Sequence, residues 1–411
     1  MISYTKLQLN KPTDLIILVI LASYPLALIF GNLLINLFIF LFSISFFINF
    51  KENKKIFNDK IFYLLFFFLF SLLINVFFSS NPENSFPRAI KILFIIFFVF
   101  EIKRLVEGYG TTFIKYIYGS WFVIFLFLTL DILFEIFFGY NIVGNKSYMP
   151  GRIASFFGDE LIAGAFYHGF VLFFLSYLIF KKSKLYTLII SITFVIIISF
   201  LIGERSNFLK LLISTLIFAS FTIKANYKIK ISIFLIIITT IISTLNFNQY
   251  YKYRYFDQIR GIFSKDGYSS YLKKSHYGAH QDAAFKILKN NLLFGIGIKN
   301  FRHEAGKREY YNKEFLQTFK RRTTHPHQVH FEFLSETGIF GYLSFLIFLF
   351  LSLYLGIKNY FKTKNIYLLS SIIFILTSIL PFLPSGSFLS TFSSGIFWLN
   401  FAIMSSYIKK N

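Results

Sequence analysis

Long apolar runs separated by short basic connections dominate the chain. Twelve of them stand at about 15–30, 33–50, 61–78, 89–106, 116–138, 161–180, 185–203, 206–222, 229–247, 327–356, 365–383 and 387–408. A helix needs roughly 20 apolar residues to cross ~30 Å of hydrocarbon, so the longer runs are predicted to span a membrane and the shorter ones are borderline. The first two runs are expected to be short or tilted. The fourth has few uninterrupted apolar residues, from Ile92 to Phe100 and its neighbours, and is expected to lie partly at the interface. The first run leads almost directly into the second with no small-residue cleavage pattern, which argues against a cleavable signal peptide. The pattern predicts an all-α polytopic membrane protein of about 12 transmembrane helices, in three parts. Residues 1–247 carry nine helices, 248–326 form one large loop, and 327–411 carry the last three.

Composition agrees. Of 411 residues 55% are apolar, with 61 Phe and 26 Tyr, and only 15% are charged, against about 25% in an ordinary soluble domain. A mean hydropathy of +0.61 excludes a soluble single domain, a disordered chain and a fibrous repeat. With no cysteine, disulfides, thiolate metal sites and cysteine nucleophiles are excluded. The formal charge of +23 would suggest a nucleic-acid binder, but here topology accounts for most of it. If the N-terminus is cytoplasmic, the inside connections hold 20 Lys and Arg, from Lys6 and Lys11 to Lys409 and Lys410, and the short outside connections hold six. That asymmetry places both termini in the cytoplasm and the large loop outside. The loop itself holds 16 Lys and Arg against six acids, a balance of +10 that insertion does not require. An anionic partner on the outer face fits it, with membrane lipid headgroups as the plainer explanation and nucleic acid implausible in that location.

Within the loop, Tyr250–Lys274 is aromatic and basic with Gly261 and Gly267 as turn signals, and Asp282–Lys289 reads as a short helix with Ala283, Ala284, Ile287 and Leu288 on one face. A Gly295-x-Gly297 turn follows, then a charged helix candidate over Glu304–Phe319. No strand–helix unit surrounds the glycines, so a dinucleotide fingerprint is rejected.

The most informative stretch runs from Thr323 to Gly338. Pro326 suits the first turn of a helix, which would put His327 at the start of the tenth span. The free N–H groups and positive dipole end there favour an anion and a neutral imidazole, the form a general base needs. Gln328, Glu332 and Glu336 follow at i, i+4 and i+8 on one helix face, a polar line reaching about 12 Å along the helix. Carboxylates inside a membrane face a cavity or a partner charge, so they either serve the chemistry or form a buried network with Arg or Lys of neighbouring helices. His325, His327 and His330 are weaker zinc candidates, because Pro326 turns His325 away and no acidic cluster completes the set. Arginine is the candidate anion clamp, since a guanidinium grips phosphate through two parallel bonds. Arg205, in Gly203-Glu204-Arg205-Ser206, Arg152, in the 149–158 stretch, and Arg302, after the Gly-x-Gly turn, are the candidates. A salt bridge from Arg205 to Glu204 or contact with lipid phosphate is the plainer alternative.

These residues resemble a known family. His327-Gln328, Glu336, Gly338 and Gly341 are similar to the carboxy-terminal signature of the bacterial O-antigen ligase and O-antigen polymerase superfamily. The stretch Lys289–Arg302 resembles its Pro-Leu-Leu-Gly-Val-Gly segment, Gly203–Ser206 its Ser-Arg-Gly turn, and Gly151–Gly158 its arginine loop. Gln328 stands for the usual Asn, Leu292 for the usual Pro and Glu204 for a common Ser, and the family's loop arginine has no clean counterpart near His276–His280.

The resemblance implies a metal-independent glycosyltransferase of GT-C-like architecture in the bacterial inner membrane, with the large loop periplasmic and no cofactor. The donor would be a glycan on undecaprenyl diphosphate and the acceptor lipid A–core for a ligase, or a lipid-linked glycan for a polymerase. His327 would serve the acceptor hydroxyl with Glu332 or Glu336 holding it or lining the cavity, and Arg205, Arg152 and Arg302 would bind the diphosphate. Ligase is preferred over polymerase. A lipid or solute transporter is the alternative from another class, but no repeat between the two halves supports one.

Overall fold

The structure is a computed structural model describing residues 9, 11–223, 227–257, 260 and 267–408. Gly261, Lys6, Lys224, Lys409 and Lys410 lie outside the described residues. Among the described residues every regular element is a helix. Four helices are long and apolar enough to cross a membrane: Lys60–Phe77, Pro82–Phe138, Ala163–Phe180 and Val329–Thr363. Two bent pairs, Pro12–Ala22 with Tyr24–Phe30 and Asn32–Ile48 with Phe50–Asn58, raise the number to six if each pair is one span. The chain is an integral membrane protein, and by length and composition four to six helices among the described residues are able to cross a membrane. Leu185–Leu201 and Ile366–Ser378 are apolar but shorter.

The breaks have local causes. Pro25, with its fixed φ and missing N–H, starts a new helix directly after the Ser23 turn, and the pair bends by 51°. The fourth and fifth apolar runs form one stretch, Pro82–Phe138, interrupted where Gly110 takes φ 63°. The fourth run is helical throughout Ile92–Phe100.

The chain divides into two units. The first comprises residues 1–38, 105–259 and 364–378. Its buried aromatic core centres on Trp121, whose ring meets Phe170 and Phe173 and whose indole N–H donates to Leu21 O. Two carboxylates on the Pro82–Phe138 helix hold the following loop. Glu135 accepts from the Ala154 and Ser155 N–H groups and Asp131 from Ile142 N and Ser155 Oγ, which fixes the loop that carries Arg152.

The second unit comprises residues 39–104, 260–363 and 379–411. Phe68 stacks on Phe348 and meets Phe333 and Phe345, and Phe388 packs on the latter two. A second, smaller core lies in the loop region, where Ala283, Ala284, Ile287, Ile296, Phe301, Ala305 and Tyr310 are buried together against Phe331. The expected apolar face of Asp282–Lys289 is therefore the face of a longer helix, His276–Asn290, whose N-terminus is capped by Ser275 Oγ accepting from Gly278 N. The charged helix expected over Glu304–Phe319 does not form. Phe301–Glu304, Arg308–Tyr310 and Thr318–Arg321 are short separate turns. The Arg321 guanidinium ties them by donating to the Gly306, Lys307 and Thr318 carbonyls, bonds a continuous helix would have kept for itself.

Candidate functional site

The glycines of the signature build a seam in the second unit. Gly338 takes φ 64° and ψ −170°, which breaks the Val329–Thr363 helix two residues past Glu336. The chain at 292–297 lies along the break. Ile296 N and Gly297 N donate to Ser335 O and Glu336 O, and Ile339 N and Phe340 N donate to Leu292 O and Leu293 O. A Cβ on Gly338 would stand 2.4 Å from Leu293 O, and one on Gly295 2.5 Å from the Glu336 carbonyl carbon. Only glycine permits both the left-handed backbone and this approach. Asn75 closes the seam, donating to Phe294 O and Glu336 O and accepting from Ile298 N.

Glu332 and Glu336 are fully buried on this helix, on the face expected. Glu336 Oε2 accepts from Lys299 N at 2.8 Å and Oε1 from Phe301 N at 3.2 Å. Glu332 accepts from Phe388 N at 2.8 Å and from the Ser387 hydroxyl. Each carboxylate thus anchors one loop through backbone N–H groups rather than through the helix-borne Arg or Lys that the network alternative called for. The neighbouring cation is Lys299, whose Nζ donates to Ser387 Oγ at 2.5 Å. Sequence reasoning missed Lys299, and nothing local to it signals the link to residues 88 positions on.

His327 departs from its expected place. The helix begins at Val329, Pro326 lies outside it, and His327 precedes it with φ 55°. Its carbonyl accepts from Ser385 N, and Gln328 supplies the cap by accepting from Phe331 N at 2.9 Å. The reason is local: a left-handed residue cannot occupy the first helical turn. For a histidine this backbone is strained, a condition that persists only where the surroundings impose it.

The ring of His327 is half-buried in a cluster of imidazoles. It lies 4.2 Å from the His325 ring and 5.1 Å from that of His280, with Tyr277 edge-on at 5.8 Å. Its Nε2 approaches Thr323 Oγ1 at 3.4 Å. Burial, then the neighbouring His325 and His276, lower its pKa to about 3. His325 is lowered to about 4 by burial and the Lys299 charge, and its Nε2 donates to Ser385 O. His330 is turned elsewhere, with Nδ1 on Tyr342 OH and Nε2 donating to Ile379 O, so the three histidines of the zinc alternative do not converge. Among the described residues no three His, Asp or Glu side chains are grouped to hold a metal ion. Sequence reasoning also missed His280, although His276 and His280 at i, i+4 on one helix were a visible signal.

The first unit holds the arginine turn. Gly203 takes φ 81° with Gly151 O packed where a Cβ would be, and Ile153 N donates to Ile202 O. Arg152 pairs with Glu204 at 3.4 Å and donates to Leu161 O. Arg205 does not make the bridge to Glu204 that was the plainer alternative; its Nη1 donates to Arg254 O at 3.0 Å. Glu204 is held instead by Arg152, Gly164 N and Asn207, and burial raises its carboxyl above the ordinary range against the pull of Arg152. Arg254 donates through Nε and Nη2 to Gly203 O. Three arginines therefore gather at one turn of this unit. Arg302 is on the short Phe301–Glu304 helix of the second unit and exposed.

Residues 163–346 match the family described as O-antigen ligase. Over this stretch the chain is similar to the O-antigen ligase family. The resemblance read from the sequence is thereby borne out over those residues, and the family comprises glycosyltransferase-like enzymes of lipopolysaccharide biosynthesis that use lipid-linked glycans. No curated protein matches the chain. The matched stretch takes in Arg205, Arg302, His327, Gln328, Glu332 and Glu336, and leaves Arg152 outside.

Proposed function

We propose that the chain is an O-antigen ligase-like glycosyltransferase that moves a glycan from undecaprenyl diphosphate to lipid A–core at the periplasmic face of the bacterial inner membrane. The observation that carries this reading is the match to the O-antigen ligase family over residues 163–346. In the reaction an acceptor hydroxyl attacks the anomeric carbon, the bond from that carbon to the diphosphate oxygen breaks, and the hydroxyl proton passes to a base. His327 is that base. Its ring has a nitrogen with only a long contact to a hydroxyl, able to take the proton, and its half-buried position leaves it reachable. Arg205 and Arg152 stabilise the charge on the departing diphosphate, with Arg302 as a further candidate. Glu332 and Glu336 act by holding the loops at 387–388 and 299–301 rather than by meeting the substrate, since each of their oxygens already accepts a hydrogen bond.

The topology follows the same reading. Both termini lie in the cytoplasm and the 248–326 loop in the periplasm, where its charge balance of +10 meets anionic headgroups. A reporter fused near residue 285 then reports periplasm and one at residue 361 cytoplasm; the reverse result removes the donor argument. The acceptor is tested by the lipopolysaccharide banding of a deletion strain. Loss of all capped chains with accumulation of lipid-linked polymer is the ligase outcome. A single capped repeat would instead assign polymerisation of lipid-linked glycan.

A further inference from the structure

The imidazole cluster contains a group that the proposed reaction does not use. His280 is 4% exposed, and its Nε2 donates to Lys320 O at 2.9 Å. That bond fixes the tautomer: the proton is on Nε2, so Nδ1 carries a lone pair. This Nδ1 is buried and has no hydrogen-bond partner among the described residues. A buried acceptor without a donor is uncommon and calls for an explanation.

The explanation lies across from it. The His327 ring centre is 5.1 Å from that of His280, with the planes inclined at 31°. His327 Nε2 has the long 3.4 Å contact to the Thr323 hydroxyl, and its Nδ1 has no partner among the described residues. Two neighbouring rings thus each present one uncommitted nitrogen, and on His280 it is an acceptor. Rotation about χ2 swings Nδ1 while leaving the ring centre close to its place, and χ2 of histidine is a soft torsion.

We propose that His280 is a positioning residue for His327: its Nδ1 accepts the Nδ1–H of His327, which leaves His327 Nε2 as the lone pair facing the acceptor hydroxyl. Thr323 Oγ1 marks where that hydroxyl arrives, because a 3.4 Å contact is weak enough to be displaced. When Nε2 takes the proton, the imidazolium keeps its Nδ1–H directed at His280, so the ring does not turn as the charge forms. His280 would act only through His327, and the inference rests on the base role proposed above.

The two nitrogens of His280 can be separated by substitution, using the full-length protein in lipid nanodiscs and a lipid-diphosphate-linked glycan as donor. His280→Gln keeps a donor near the Nε2 position toward Lys320 O and has nothing at the Nδ1 position. His280→Asn does the reverse, placing an amide oxygen near Nδ1 and giving up the Lys320 bond. The expected result is that His280→Gln melts near the parent temperature and loses about 10- to 100-fold in kcat with KM for both substrates little changed, whereas His280→Asn keeps more kcat per folded molecule. A merely structural role predicts the opposite order, with His280→Gln fully active and His280→Asn unstable, and overturns the proposal. Equal losses of kcat per folded molecule in the two variants overturn it as well, including where either is poorly stable. Failure of the underlying base role looks different, because His327→Ala would then retain transfer whatever happens at position 280.

Discussion

Glu336 and His327 stand nine residues apart in one signature, and their surroundings differ in kind. Both Glu336 oxygens accept backbone N–H groups, its own carbonyl accepts from Gly297 and Asn75, and it is fully buried. His327 is half-buried, takes a left-handed backbone, and has one long contact to a hydroxyl. A saturated group rigidifies a scaffold, and an unsaturated one in a strained position is available for chemistry. On the proposed reading the signature joins two functions. Its glycines and glutamates fasten the 292–301 and 387–388 loops to the broken helix, and its histidine is what that fastening presents.

The sharpest way to break the comparison is at the seam. Gly338→Ala should prevent accumulation of folded protein, because it adds a Cβ 2.4 Å from Leu293 O at a residue with φ 64°; expression with retention on size exclusion reads it. A well-folded, active Gly338→Ala would mean the seam tolerates what its geometry forbids. Next is Arg205→Lys, expected to lose most transfer while melting normally, since a point charge does not reproduce a planar fork; full activity would leave Arg205 as a topological or lipid-facing charge. Glu336→Gln should lower stability by about 1–3 kcal/mol, because an amide N–H would then face Lys299 N or Phe301 N, seen as a reduced melting temperature with kcat per folded molecule nearly kept.

The smallest effect separates the histidines by pH. Burial holds His280 and His325 at about 4 and His327 at about 3, below the ordinary value of 6.5. A depressed histidine pKa means that the unfolded chain binds the proton first as pH falls. Their contribution is therefore intact above about 6.5 and diminishes toward 4. The melting temperature should drop between pH 7 and pH 4, and His325→Gln should flatten part of that slope; an unchanged slope would show that His325 takes up its proton in the native protein just as it does in the unfolded chain.

Much of this was legible in the sequence, for particular reasons. Apolar runs report helices because burial in lipid needs little but composition, and the face of Ala283, Ala284, Ile287 and Leu288 repeats with the helical period. The start of the helix after Pro326 was misplaced because Ser385, 58 residues on, takes the His327 carbonyl out of the helical path. The charged stretch over Glu304–Phe319 has helical composition, yet Arg321 captures its carbonyls. Lys299 enters the site through its contact with Ser387, which no local pattern records, whereas His280, beside His327, was signalled by its i, i+4 spacing from His276.

The most direct measurement of the central claim is glycan transfer by purified His327→Ala beside His325→Ala and His330→Ala, each with and without a chelator. His327→Ala should lose about 10²–10⁴-fold of transfer at an unchanged melting temperature. His325→Ala and His330→Ala should fall much less, because their nitrogens are bonded to Ser385 O, Tyr342 and Ile379 O, and chelation should leave the parent active. A fully active His327→Ala, or equal loss in all three variants with inactivation by the chelator, would contradict the account.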